Sequence, residues 1–228
     1  MAKALYVEVE ARRAATEEIR TFLEKALTTA RGERATRDWY AVRFDEHRFA
    51  IFDTFDGQSG RLRHIAGSIG RGLVIKTFTS LHGMPHVSMS DIVAAILPDD
   101  RVLPTVGLYG AFETKLGQGR DFGAFLVKAR EAANREPRTL AWYALRTGPN
   151  SYAVFDAFPD QAALQEHQDG AIVQSLDDPD TIGRYLAAKP VFRQFEIIAS
   201  KQSGWIDLAL AEQKMHAKQG LRIGPKTA

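Results

Sequence analysis

Two histidines 103 residues apart, His64 and His167, are the side chains of this sequence best suited to chemistry. Each follows the same motif at the same interval: Phe52-Asp53-x-Phe55 precedes His64, and Phe155-Asp156-x-Phe158 precedes His167. An imidazole titrates near neutral pH, so in a cavity it can take a phenolic proton or steady a developing enolate. The competing reading is a histidine that only bonds backbone at a helix end. Trp39 and Trp142, Tyr40 and Tyr143, and Phe155 would line a flat aromatic ligand, with a tyrosine hydroxyl to orient it. The same residue types also suit the core of a sheet. Arg43 and Asp53, like Arg146 and Asp156, fall on adjacent strands, and a cross-strand ion pair is the favoured reading. Otherwise the arginine would stabilise an anionic intermediate, or the aspartate would position the histidine.

These candidates come in pairs because the sequence contains itself twice. Trp39-Tyr40-Ala41-Val42-Arg43 returns as Trp142-Tyr143-Ala144-Leu145-Arg146. From Leu5/Leu108 through Ile69/Ile172 the offset stays at 103, and 22 of the 65 aligned pairs are identical. Roughly four would be expected from ordinary composition. Two copies are too few for a solenoid, so a closed pseudo-two-fold pair is expected. The expected divisions are a first unit at 1–98, a linker at 99–106, a second unit at 107–201, and a C-terminal helix and tail at 202–228.

Each unit needs elements that bring its histidine to its sheet. Ala4–Arg12 alternates as a strand. Thr16–Ala30 carries Ile19, Phe22, Leu23, Ala26 and Leu27 on one helical face. Arg37–Phe44 and His47–Phe55 form a hairpin. In the second copy Thr147-Gly148-Pro149-Asn150 marks its turn, and Pro159-Asp160 opens a helix through Gln168. The first copy carries Gly57, Gly60 and Gly67 in the equivalent stretch, which predicts a weaker or shorter helix. A further helix over Pro179–Ala188 is clear only in the second copy. The last strands are Ser88–Leu97 and Val191–Ser200, again 103 apart at their starts. Trp205–Lys218 reads as an extra helix. The order βαββαβ, twice, predicts an α+β fold of two ferredoxin-like units. Trp39, Ala41 and Arg43 share one side of their strand, and Tyr40, Val42 and Phe44 the other. A sheet apolar on both sides needs helices on one face and the sister sheet on the other, which gives an α+β barrel.

That order, with the Phe-Asp-x-Phe strand and the histidine on the following helix, resembles the antibiotic biosynthesis monooxygenase family. The matching residues are Ile51-Phe52-Asp53-Thr54-Phe55 with His64, and Val154-Phe155-Asp156-Ala157-Phe158 with His167. The Gln58/Gln161 and Gly67/Gly170 pairs lie in the same block. The resemblance implies that the chain fuses the two partners of a family dimer into one pseudo-dimer. It also implies oxidation of phenols, quinols or anthrones by molecular oxygen with no added cofactor. Haem-degrading relatives place an asparagine on the first strand, whereas Leu5–Glu10 and Leu108–Glu113 contain none.

Composition removes other classes. The net charge of +2 is scattered, which leaves no footprint for nucleic acid. With no cysteine there are no disulfides, thiolate metal sites or cysteine nucleophiles. His82 and His86 are separated by Gly83 and Pro85 and do not form a helical ligand pair, so no metal set is expected. Gly67-Ser68-Ile69-Gly70-Arg71-Gly72 does not join a strand to a helix with nucleotide-binding spacing. The absence of a signal core and of a long apolar run predicts a soluble, cytoplasmic protein without membrane contact. The expected function is a cofactor-independent monooxygenase acting on a small electron-rich aromatic, with His167 and the second copy as the working site. Further homo-oligomerisation is left open. The alternative is a non-catalytic barrel that binds a small ligand or a partner protein, and haem binding is a third possibility.

Overall fold

The computed structural model describes residues 2–98 and 101–202. The sequence-predicted C-terminal helix Trp205–Lys218 lies outside the described residues. The first half runs β1 (Lys3–Glu10), α1 (Thr16–Gly32), β2 (Thr36–Arg43), β3 (Arg48–Phe55), α2 (Gln58–Ile65), α3 (Ser68–Thr79) and β4 (His86–Ile96). The second runs β5 (Val106–Glu113), α4 (Gly119–Ala133), β6 (Ala141–Arg146), β7 (Ser151–Phe158), α5 (Gln161–Gln168), α6 (Ala171–Asp177), α7 (Pro179–Tyr185) and β8 (Val191–Lys201).

The eight strands close into a barrel in the order β1-β3-β2-β8-β5-β7-β6-β4. Every seam is antiparallel. Closure leaves no sheet edge. The β1–β3 pairing sets Lys3 opposite Phe55, and the β5–β7 pairing sets Val106 opposite Phe158 at the 103 offset. The final strands depart from it. Val7 faces Val87, whereas Gly110 faces Phe192, so β8 is offset from β4 by 105. Sequence shifting at 103 had missed these two additional residues, because they fall in the helical segment ahead of β8, where little identity survives.

Alternation along the strands splits the core into an inner and two outer parts. Tyr40, Val42 and Phe52 point into the barrel with Tyr143, Leu145 and Phe155. Trp39, Ala41 and Ile51 point outward under Ile19, Leu23, Ala26 and Ala30 of α1, which recur every three or four residues. Trp142, Ala144 and Val154 point outward under Phe122 and Leu126 of α4.

The expected weakness of the first copy's helix is not found: α2 and α5 both have eight residues, and α3 has twelve. Glycines in this stretch serve close approach instead, Gly57 excepted. A Cβ at Gly60 would stand 3.3 Å from the Ala35 Cβ, and one at Gly70 only 2.0 Å from the Ile65 carbonyl. Arg61 of α2, buried, donates to the carbonyls of Ala4 and Ser90 at 3.0 Å each and ties the helix to the sheet. In the second copy Asp160 caps α5 by accepting from the Ala163 amide at 2.9 Å. Among the described residues no helix is long and apolar enough to cross a membrane.

Candidate functional site

Both histidines are buried, and each is held between two carboxylates. His64 Nδ1 lies 2.5 Å from Glu33 Oε2, and Nε2 lies 3.0 Å from Asp53 Oδ2. His167 Nδ1 lies 2.6 Å from Glu136 Oε2, and Nε2 lies 3.4 Å from Asp156 Oδ2. Thr36 and Thr139 each donate to the same glutamate, at 2.7 and 2.8 Å. Phe55 and Phe158 pack on the two imidazole rings. The cluster ties the end of α1 or α4 to the hairpin and to the following short helix. Burial works against the charged imidazole, but the flanking carboxylates outweigh it and hold both histidines up at about 9. Each imidazole therefore favours its charged form, with the glutamate on its Nδ1 side and the aspartate on its Nε2 side.

Asp53 and Asp156 take the positioning role that was the alternative reading. The cross-strand pairs with arginine do not form. Asp53 stands opposite Trp39, whereas Arg43 stands opposite Phe49, at the far end of the hairpin. Arg43 instead pairs with Glu196 of β8, and Arg146 donates to the Gly148 carbonyl at 3.2 Å. Trp39 and Trp142 are enclosed between sheet and helix and do not line the cavity described next.

The inside of the barrel is filled by rings. Phe52 stacks on Phe155 with centroids 4.2 Å apart, and Tyr6 on Tyr109 at 4.6 Å. Tyr40 meets Phe155 and Tyr143 meets Phe52 at the same 5.2 Å. No ligand fits between these rings without moving them.

A cavity of about 500 Å³ lies beside this packed centre. Ile92–Ile96 of β4, Leu97 just after it, and Arg130, Glu131 and Asn134 of α4 and its end form one part of its wall. Arg37, Asp38, Thr54, Asp56 and Tyr143 bring the polar groups. Tyr143 donates to Asp38 Oδ2 at 2.9 Å, and Thr54 donates to the same oxygen at 2.8 Å. Asp38 and Tyr143 are buried, at 1% and 0% exposure, so their bond is made away from bulk water. Burial, and then the neighbouring Asp38, push the Tyr143 phenol well above its ordinary range, so it remains a neutral donor. Arg37, also in the lining, forks onto the two carboxylate oxygens of Asp56.

This site is not duplicated. The counterparts of Asp38 and Thr54 are Ala141 and Ala157, and the Tyr40 hydroxyl is buried without a hydrogen-bond partner. The polar cavity joins Asp38 and Thr54 of the first half to Tyr143 and α4 of the second. Sequence comparison between the copies passed over Asp38 because it looked for what the copies share. Glu33/Glu136 and Thr36/Thr139 were also passed over, although both pairs are identical at the 103 offset. Among the described residues no group of three metal-ligating side chains is placed to hold a metal ion.

No family model matches the sequence, and no curated protein matches it. Solved structures do. A candidate monooxygenase from Fusobacterium nucleatum is 12% identical, with 90% of this chain and 96% of that one covered at a TM-score of 0.78. An anthrone oxidase-like protein is 11% identical, with 90% and 94% covered at 0.60. A ferredoxin-fold protein related to antibiotic biosynthesis monooxygenases, from Listeria monocytogenes, is 6% identical, with 86% and 94% covered at 0.52. At such identities the likeness is one of fold. Over most of its length the chain has the fold of the candidate monooxygenases and of the ferredoxin-fold proteins related to antibiotic biosynthesis monooxygenases.

Proposed function

We propose that the chain is a monooxygenase of this type, built as a pseudo-dimer of units 1–98 and 107–201, which oxidises a small electron-rich aromatic with molecular oxygen. The observation that carries the reading is the buried Tyr143–Asp38 pair in the wall of a cavity of about 500 Å³. That volume suits a flat molecule of two or three rings. The apolar run Ile92–Leu97 offers it a surface, and the polar groups sit at one side.

The Tyr143 oxygen accepts the acidic proton of the bound phenol, quinol or anthrone while its own proton passes to Asp38. Arg37 and Arg130 favour the anion that results. The anion gives one electron to dioxygen, the radical pair closes to a C–O–O bond, and loss of water leaves a carbonyl. In an anthrone one CH₂ and one O₂ thus become one C=O and one H₂O; in a phenol or quinol one ring C–H and one O–H are lost as that water, leaving a quinone. The paired clusters at His64 and His167 hold the framework, and Trp39, Trp142, Tyr40, Phe155, Arg43 and Arg146 support it from core and seam.

Oxygen uptake with anthrones and quinols tests the proposal. Asp38→Asn keeps the shape and removes the proton acceptor, so uptake should fall by roughly 10²-fold while the fold is retained. Equal rates in the two proteins would remove Asp38 from the chemistry. Binding without any uptake by the unaltered protein would favour the non-catalytic ligand-binding barrel.

A further inference from the structure

The polar groups that line the cavity divide by what they already hold. Tyr143 and Thr54 are bonded to Asp38, and Arg37 is bonded to Asp56. Arg130, Glu131 and Asn134 of α4 and its end line the same cavity. Among the described residues their side chains make no hydrogen bond or ion pair. The first set is committed to the chain itself, and the second is free to meet a ligand.

The repeat shows that Arg130 does not stand on an ordinary solvent face. Its counterpart at the 103 offset is Leu27 of α1, which packs on the outer core of the first half. A helix position turned toward the sheet in one half thus carries a guanidinium in the other, and there it lines the cavity. Asn134 follows one turn later, as the helix-ending residue with helical backbone angles, so it shares a face with Arg130. Glu131 lies about 100° round the helix from Arg130.

Guanidinium and carboxamide both present N–H donors, and the guanidinium adds one fixed positive charge. That combination matches a single carboxylate. A phosphate dianion is a poorer match, because Glu131 is close and the C-terminal end of a helix carries a partial negative charge. For the same reason the helix backbone does not hold the anion, and the charge has to come from Arg130.

We propose that the ligand of this cavity is an aromatic acid of two or three rings, whose carboxylate is bound by Arg130 and Asn134 while its reacting carbon faces Tyr143. The reacting end rests on the reaction proposed above; the carboxylate site is tested by binding alone.

Two quinones of the same shape serve as probes, anthraquinone-2-carboxylate and anthraquinone-2-carboxamide, titrated by calorimetry at low ionic strength. The unaltered protein should bind the carboxylate roughly ten-fold more tightly than the carboxamide. The preference should shrink as salt is added. Arg130→Leu installs the residue that the first half carries at this position and should abolish the preference. Arg138→Leu should retain it, because Arg138 is bonded to Asp160 and Glu166 and is not in the lining. Asn134→Ala should weaken binding of the carboxylate by a few-fold. Equal affinity for the two quinones in the unaltered protein would overturn the proposal, as would a preference that survives Arg130→Leu, or no binding of either quinone. A preference that disappears with Arg130, in a protein that takes up no oxygen with anthrones or quinols, would keep the carboxylate site and remove the monooxygenase reading instead.

Discussion

Phe52 and Phe155, the same position of the two repeats, stack on each other inside the barrel with centroids 4.2 Å apart and planes 17° from parallel. Each also meets a tyrosine from the opposite half, at 5.2 Å. The halves are therefore joined by a packed core as well as by the β2–β8 and β6–β4 seams. Phe52→Ala and Phe155→Ala should each cost about 3–5 kcal/mol in denaturant unfolding. Because the rings share a contact, the double variant should depart from additivity by about 0.5–3 kcal/mol. Strict additivity would mean that the two rings do not support one another.

The internal repeat made most of this fold legible before any coordinates. Identity at one offset located β1, the hairpin and the helix of each histidine, and the alternation at Trp39-Tyr40-Ala41-Val42 sorted the side chains onto two faces without telling which face turns inward. The site was less legible. A repeat highlights what both copies retain, and here both retain the Glu–His–Asp clusters that brace helix to sheet. Asp38 and Thr54 stand out only once Tyr143, 105 residues from Asp38, is brought against them. The pairing of Tyr143 with the other half is a product of barrel closure, which no local spacing encodes.

The histidine clusters should behave as braces. His64→Ala leaves Asp53, fully buried, without its imidazolium, and His167→Ala does the same to Asp156. Removing one partner of a buried ion pair typically costs about 3–5 kcal/mol. Adding Asp53→Asn to His64→Ala should recover part of that loss, because the stranded charge is then gone. Urea unfolding of the three variants measures this. An equal or larger loss in the double variant would show that the aspartate is stabilised by something other than His64.

Stability should also fall on the alkaline side. Both histidines are held at about 9 in the folded chain, above the ordinary value of 6.5. A raised basic group contributes its stability in full below the unfolded value and loses it as pH climbs through the folded one. The melting temperature should therefore decline between roughly pH 6.5 and pH 9. The decline should be smaller in His64→Ala and smaller still in a variant lacking both histidines. A melting profile with the same slope in all three would assign the alkaline loss to other groups.

Tyr40 and Tyr143 are repeat partners with opposite fates, and removing their hydroxyls should separate them. Tyr143 donates a hydrogen bond to Asp38, so Tyr143→Phe leaves a buried carboxylate short of a donor and should cost about 1–3 kcal/mol. The Tyr40 hydroxyl is buried beside Tyr143 and Gln202 but makes no hydrogen bond of good geometry, and Ala141 stands where the first half has Asp38. Tyr40→Phe should then be neutral or stabilising, since an unpaired buried hydroxyl carries its desolvation penalty without a return bond. The same pair separates function from packing. Oxygen uptake should drop sharply in Tyr143→Phe and remain near the unaltered rate in Tyr40→Phe. Equal loss in both would mean that the rings act only as barrel filling. Loss confined to Tyr40→Phe would take the proton transfer away from Tyr143.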